Sequence, residues 1–330
     1  NWSMQTMSRP EILMPGRMSD SVERALDAQF TVHRLHLRDD PAAALQALAP
    51  HIRAVAAGGH AKVDAALIDA LPHLEIVANF GVGYDNVDAR YAAEKGVIVT
   101  NTPDVLTEEV ADTALGLILM TVREFSAAER YLRAGKWPTA AYPLTKATLR
   151  DRTAGIVGLG RIGKAIARRL EAFGVPVVYH NRRPQEDVSY RYYGDLVEMA
   201  RDVDMLVSVL PGGASTDKLI NRAVLDALGP RGIVINIGRG TVVDEAELIA
   251  ALTEKRIHAA GLDVFEKEPQ VPAALMALEN AVLLPHVGSA SEHTRDAMGQ
   301  RVVDNLLAWK DGRPPISPVA ETPFSGWHKR

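Results

Sequence analysis

The 330-residue sequence predicts an α/β protein made of two doubly wound domains, each built around a parallel sheet. Three observations carry that expectation. Short apolar strands alternate with helical stretches along the chain. The alternation restarts in the second half as a further set of βα units. Near the middle, the glycine-rich turn Gly158-Leu159-Gly160-Arg161-Ile162-Gly163 stands between an apolar strand and a helix.

In the first half, apolar runs predict strands at Glu11–Met14, Val32–Leu37, Ala54–Ala57, Glu75–Asn79 and Val97–Thr100. Helical stretches such as Ser21–Gln29 and Asp64–Ala70 separate them, which implies a parallel sheet covered on both faces. A long helix is predicted from Thr107 to about Glu124, its Thr-Glu-Glu start serving as a capping signal. Gly135–Leu149 is too interrupted by proline to continue as helix. The second half predicts strands at Thr153–Val157, Val177–His180, Met205–Leu210, Ile233–Ile237, Ala260–Val264 and Val282–Leu284. A last helix is expected over Glu292–Lys310, followed by an irregular Pro-rich tail after Gly312.

Composition narrows the function classes. Hydrophobic residues make up 47% and charged residues 24%, enough apolar material for real cores. The net charge of −4 leaves no basic footprint for a nucleic acid, and no nucleic-acid partner is expected. Cysteine is absent, which removes disulfides and thiolate chemistry. No apolar run is long enough to cross a bilayer; the longest, Ala114–Val122, sits inside a helical pattern. Asn1–Ser8 carries no signal-peptide pattern and reads as an appendage ahead of the native start. The default address is therefore cytoplasmic, and neither a membrane nor a metal is expected.

The fingerprint follows Thr153–Val157 and opens the helix Arg161–Phe173, the context a dinucleotide turn requires. Gly158 allows the tight turn, Gly160 the approach of a pyrophosphate, and Gly163 close helix–strand packing. The helix N-terminus faces the phosphates. An NAD site places Asp or Glu about 20 residues further on, at the end of the next strand. Here Val177–His180 runs instead into Asn181-Arg182-Arg183. Two guanidiniums without a carboxylate favour a 2′-phosphate, hence NADPH over NADH, with NADH still possible. A solvated basic turn would explain the arginines alone, though not the missing acid.

Three more polar residues end apolar strands: Arg239 after Ile233–Ile237, Glu268 after Ala260–Val264, and His286 after Val282–Leu284. In a doubly wound sheet, ligands bind beyond the carboxyl ends of strands. A cation, a carboxylate and a histidine there suit reduction of a carbonyl. The histidine donates to the oxygen as charge develops, the carboxylate holds the ring and favours its charged form, and the arginine grips a substrate carboxylate. In the first half, Phe80-Gly81-Val82-Gly83-Tyr84-Asp85-Asn86 imitates a fingerprint but lacks the third glycine. It reads as an anion pocket sized for a carboxylate, or as a simple tight turn.

Taken together, these motifs resemble the D-isomer-specific 2-hydroxyacid dehydrogenases, and within them the glyoxylate/hydroxypyruvate reductases. The carriers are Ala78–Asp85, Thr102-Pro103-Asp104-Val105-Leu106-Thr107, Gly158–Gly163, Asn236–Gly240, Gly261–Val264, Glu268-Pro269 and Pro285–Ser289, within a likeness spanning Pro10–Pro315. The resemblance implies a Rossmann dinucleotide-binding domain, 103–288, inserted into a flavodoxin-like substrate domain of 8–102 and 289–330. It implies hydride transfer from nicotinamide C4 to a small 2-oxo acid and a proton from His286. Glu268 becomes the partner of His286, and Arg239 the ligand of the substrate carboxylate and carbonyl. Backbone at Val82 and Gly83 becomes the carboxylate cradle, with Arg239 and His286 completing the substrate contacts. Asp263 would meet the nicotinamide carboxamide. Leu210, Pro211, Thr216, Ile237, His286 and Gly288 would join the fingerprint in contacting the dinucleotide. A homodimer is implied through the nucleotide domain and the arm Thr107–Leu149, with Trp137 or a neighbour near the partner's substrate site.

Two departures sharpen this. The chain stops soon after Pro315, unlike phosphoglycerate dehydrogenases with a regulatory tail, and Glu268 supplies the carboxylate that formate dehydrogenases lack. Two alternatives remain at this level. One is a dehydrogenase for a bulkier 2-oxo acid such as phenylpyruvate. The other, of a different class, is a dinucleotide-sensing corepressor, which the retention of Arg239, Glu268 and His286 gives no reason to prefer.

Overall fold

The structure is a computed structural model that describes residues 9–58 and 60–327; Asn1–Ser8, read above as an appendage, lie outside them. The chain divides into two compact units, Asn1–Leu106 with Glu292–Arg330, and Thr107–Ser291. Both crossings fall immediately before a long helix, Thr107–Arg123 or Glu292–Lys310, rather than at 102 and 288.

The first unit holds five parallel strands: β1 (Glu11–Met14), β2 (Thr31–Arg34), β3 (Ala54–Ala57), β4 (Ile76–Asn79) and β5 (Ile98–Thr100). Their order is β2-β1-β3-β4-β5, a flavodoxin-like winding. Strand side chains alternate between faces, and each face has its own core. Ile12, Met14, Ala54, Ala56, Ile76 and Ala78 pack with Leu26, Val302, Leu306 and Trp309. Leu13, Val55, Ala57, Val77 and Val99 pack on the other side with Ile52, Ile68 and Leu71. Burial of both faces explains the unbroken apolar runs in the sequence. The returning helix Glu292–Lys310 covers the first face beside Asp20–Gln29, and so makes this unit discontinuous.

The second unit holds seven parallel strands: β6 (Ala154–Val157), β7 (Val177–His180), β8 (Arg191–Tyr193), β9 (Met205–Ser208), β10 (Ile233–Asn236), β11 (Ala259–Leu262) and β12 (Ala281–Leu283). Their order, β12-β11-β10-β9-β6-β7-β8, is the Rossmann winding extended by one strand. The winding reverses between β6 and β9, which sets the crevice at their carboxyl ends. Helices begin where short polar side chains can cap them: Asn221 accepts the Val224 N–H, and Asp244 the Glu247 N–H.

Some elements differ from expectation. The predicted strand Val32–Leu37 keeps its ladder only to Arg34, and Leu35–Leu37 turn as a 3-10 helix. The long helix ends at Arg123, because Glu124 adopts a left-handed φ of 56° before a separate helix Phe125–Arg133 begins. The edge strand β8 has no counterpart among the predicted strands. The tail is irregular as expected, yet Pro318 bridges antiparallel to Thr100 and ties it to β5.

Candidate active site

Strand ends of the second sheet bring the predicted residues to one side. Gly158 follows β6, Asn181 follows β7, Leu210 lies just beyond β9, Ile237 follows β10, Asp263 follows β11, and His286 lies just beyond β12. All these strands are parallel, so each segment leaves at the same, carboxyl edge.

The fingerprint turn is built by close approach. A Cβ on Gly163 would stand 2.5 Å from the Gly158 carbonyl oxygen, so only glycine lets the helix Arg161–Ala172 start against the turn. Gly160 caps that helix without any side-chain bond, and a Cβ there would meet nothing within 4 Å. Open space in front of an uncapped helix N-terminus is what a pyrophosphate needs. Asn181 braces the turn: its Oδ1 accepts the Leu159 N–H at 2.7 Å, while its Nδ2 donates to the Leu159 carbonyl at 3.4 Å. Gln185 Nε2 donates to the same carbonyl. Arg182 and Arg183 are exposed and, among the described residues, have no hydrogen-bond or ion-pair partner. Two uncompensated guanidiniums at this strand end fit a 2′-phosphate, and no carboxylate stands among residues 181–183 to repel one.

Leu210 lines the same turn; a Cβ on Gly158 would stand 2.8 Å from its Cδ2. Thr216 Oγ1 donates to the Pro211 carbonyl at 2.6 Å and so ties off the loop after β9. Ile237 is buried, and its N–H donates to the Ser208 carbonyl.

Arg239 sits on a turn caged by Asn236. Asn236 Oδ1 accepts the Gly238 N–H at 3.1 Å, and its Nδ2 donates to the Arg239 carbonyl at 2.9 Å. Asn236 is buried at the end of an apolar strand. An amide closing an otherwise apolar strand, Ile233–Asn236, is the sequence signal of this cage. The Arg239 guanidinium lies close enough to Glu268 to draw its carboxyl downward.

His286 Nδ1 and Glu268 Oε2 are 2.6 Å apart. The other Glu268 oxygen accepts the Phe265 N–H at 3.0 Å, which fixes the carboxylate plane. Burial pushes the Glu268 carboxyl up, but the bond from His286, the Phe265 N–H and the charge of Arg239 hold it below the ordinary carboxylate range. Ionised, Glu268 can only accept, so the proton between them belongs to His286 Nδ1 and Nε2 is the nitrogen left for other chemistry. His286 has φ of 52°, a left-handed conformation costly for a residue with a Cβ. The loop is held there by Asp263, which is buried and accepts the Val287 N–H at 2.7 Å and the Gly288 N–H at 2.9 Å. Burial raises the Asp263 carboxyl against the pull of those two N–H groups. Asp263 thus anchors the loop that carries His286, a duty beyond the one the resemblance implied.

Val82 and Gly83 belong to the first unit, on the turn that follows β4.

Residues 115–288 match the family described as D-isomer specific 2-hydroxyacid dehydrogenase, NAD binding domain. The chain belongs to that family. A hydroxyphenylpyruvate reductase of Plectranthus scutellarioides is 49% identical over 308 residues, 93% of this chain and 98% of that protein. A glyoxylate/hydroxypyruvate reductase A of Arabidopsis thaliana is 48% identical, with the same coverage of 93% and 98%. Among solved structures, the NADPH-dependent glyoxylate/hydroxypyruvate reductase of Sinorhizobium meliloti, in complex with NADP and malonate, is 51% identical. It superposes with a TM-score of 0.90 over 96% of this chain and 98% of that one. In this D-isomer specific 2-hydroxyacid dehydrogenase, the Rossmann unit is therefore the dinucleotide-binding part.

Proposed function

We propose that the protein is an NADPH-dependent reductase of small 2-oxo acids, glyoxylate and hydroxypyruvate, yielding 2-hydroxy acids. The observation that carries this reading is the His286–Glu268 pair at 2.6 Å, on the carboxyl edge of the sheet that bears the fingerprint. The bound dinucleotide supplies the reducing equivalents to the keto carbon. His286 Nε2 gives its proton to the carbonyl oxygen as charge develops there. Glu268 holds the ring by Nδ1 and so aims Nε2 at the substrate. Arg239 grips the substrate carboxylate and carbonyl with a planar fork. The Val82 and Gly83 N–H groups serve as the carboxylate cradle.

Arg182 and Arg183 would take the 2′-phosphate, with Asn181 bracing the turn beneath it. Arg161, Ile162 and the glycines would face the pyrophosphate. Leu210, Pro211, Thr216, Ile237 and Gly288 would line the remainder, and Asp263 would meet the carboxamide. The Sinorhizobium meliloti relative, NADPH-dependent by name, supports this choice of cofactor.

A second reading, a bulkier aromatic 2-oxo acid, is favoured by the 49% identity to a hydroxyphenylpyruvate reductase. A homodimer belongs to the proposal as well. Among the described residues, four of the eight exposed large hydrophobic side chains, Phe125, Leu132, Trp137 and Leu144, lie within one 20-residue stretch, Leu144 being 97% exposed. The proposed compartment is the cytoplasm, where a reduced NADPH pool is at hand. One panel tests all of this: NADPH or NADH oxidation followed with glyoxylate, hydroxypyruvate and hydroxyphenylpyruvate. Activity with glyoxylate and NADPH supports the reading, and inertness toward every 2-oxo acid overturns it.

A further inference from the structure

The Val82–Gly83 turn is held from behind by side chains distant in sequence. The Gly81 N–H donates to Thr102 Oγ1 at 2.9 Å, and the Thr102 N–H returns a bond to the Gly81 carbonyl at 2.9 Å. Asn101 Nδ2 donates to the Val82 carbonyl at 3.0 Å. Asn79 Nδ2 donates to the Gly83 carbonyl at 3.3 Å, and Asn79 is itself held by Asn86 at 2.9 Å.

In a planar trans peptide, the C=O of one residue and the N–H of the next point in opposite directions. Holding the Gly81 carbonyl on Thr102 therefore turns the Val82 N–H away from Thr102. Holding the Val82 carbonyl on Asn101 turns the Gly83 N–H away from Asn101. Among the described residues, neither N–H has a partner. Gly81, at φ of 131°, supplies the backbone conformation that starts the turn.

Asn101 is fixed in turn by the C-terminal segment. Its N–H donates to the Ser317 carbonyl at 3.2 Å, and Ser317 Oγ donates to the Asn101 carbonyl at 2.7 Å. Asn305 Nδ2 donates to Ser317 Oγ at 3.0 Å, while Asn305 Oδ1 accepts the Ile316 and Ser317 N–H groups at 2.8 and 3.2 Å. Asn79, Thr102 and Asn305 are completely buried, and the bonds of Asn305 to Ser317 are shielded from water, while the Asn101–Val82 bond is part-buried.

We propose that Asn101 is a positioning residue that aims two backbone N–H donors at the substrate carboxylate, and that Ser317 and Asn305 hold it in register. Asn101 acts through the backbone, and the inference rests on the activity proposed above. A carboxylate anchor is used equally in the ground and transition states. Its loss therefore raises KM and leaves kcat in place.

The test uses the full chain carrying Asn101→Ala or Asn101→Asp, the latter keeping the shape but losing the donor. Ser317→Ala probes the tail, and Thr322→Ala serves as a control that loosens the tail at Val99 without touching the turn. Glyoxylate kinetics with NADPH are measured alongside calorimetric binding of oxamate, a non-reducible carboxylate probe. Both Asn101 variants should raise the glyoxylate KM and weaken oxamate by about tenfold, with kcat within about twofold and the NADPH KM unchanged. Ser317→Ala should give about threefold, because it acts one bond further away. Thr322→Ala should lower thermal stability and leave KM alone. An active parent with unchanged KM and oxamate affinity in the folded variants overturns the positioning role. A parent inert toward glyoxylate overturns the proposed activity instead.

Discussion

Replacing Glu268 with Gln keeps the shape of the His286 partner and removes its charge. A charge-assisted hydrogen bond is worth about 1.5–3 kcal/mol. With about 1.4 kcal/mol per factor of ten, full loss would correspond to about tenfold to a hundredfold in turnover. The His286 side chain is 41% exposed, and solvent screens part of that energy, so the lower end, about tenfold, is the expected loss. The sign follows from the charges. Without the carboxylate the charge on the imidazolium loses its partner, so turnover in reduction falls at neutral pH. The acid limb behaves differently. The Glu268 carboxyl lies below the ordinary carboxylate range, so the pair in the parent persists as pH falls until that depressed value is crossed. The assay is the pH profile of glyoxylate reduction with NADPH for the parent and Glu268→Gln. Turnover of Glu268→Gln within about twofold of the parent at neutral pH would mean that the 2.6 Å contact has no part in setting the proton donor.

Alanine at both Arg182 and Arg183 should raise the NADPH KM by about tenfold or more and leave NADH kinetics nearly unchanged; a parent that prefers NADH contradicts the assignment. Gly163→Ala places a methyl 2.5 Å from the Gly158 carbonyl and should lower thermal stability, since overpacking costs about 1–3 kcal/mol. Gly160→Ala meets nothing within 4 Å and should leave the melting temperature alone while weakening NADPH, which thermal shift with and without dinucleotide would separate. Sedimentation should find a dimer that Leu144→Asp weakens, and a parent that stays monomeric at working concentration removes the arm from the account.

Much of the fold was legible because burial on both sheet faces leaves a simple trace. Glu11–Met14, Ala54–Ala57 and Val177–His180 read as strands with the bounds the structure has. Strand β8 escaped because Arg191 is exposed, Tyr192 is half-buried and Tyr193 alone is buried, too short a pattern for a period of two. The strand within Val32–Leu37 is shorter than its apolar run because Leu37, though apolar, is 69% exposed on a 3-10 turn. The candidate site was legible for a topological reason: in a parallel sheet, every polar residue just past a strand's carboxyl end lies on one edge. The supports were not. Ser317 and Asn101 meet across 216 residues, and the bonds from Asp263 to Val287 and Gly288 span 24 and 25. No local pattern encodes such pairings.

Turnover of glyoxylate by His286→Ala, with NADPH affinity measured on the same preparation, bears on the proton donor without intermediaries. Removing Nε2 as the proton source should lower kcat by about a hundredfold to ten-thousandfold, while the untouched fingerprint keeps the NADPH dissociation constant near that of the parent. Near-normal turnover in that variant would contradict the assignment of His286.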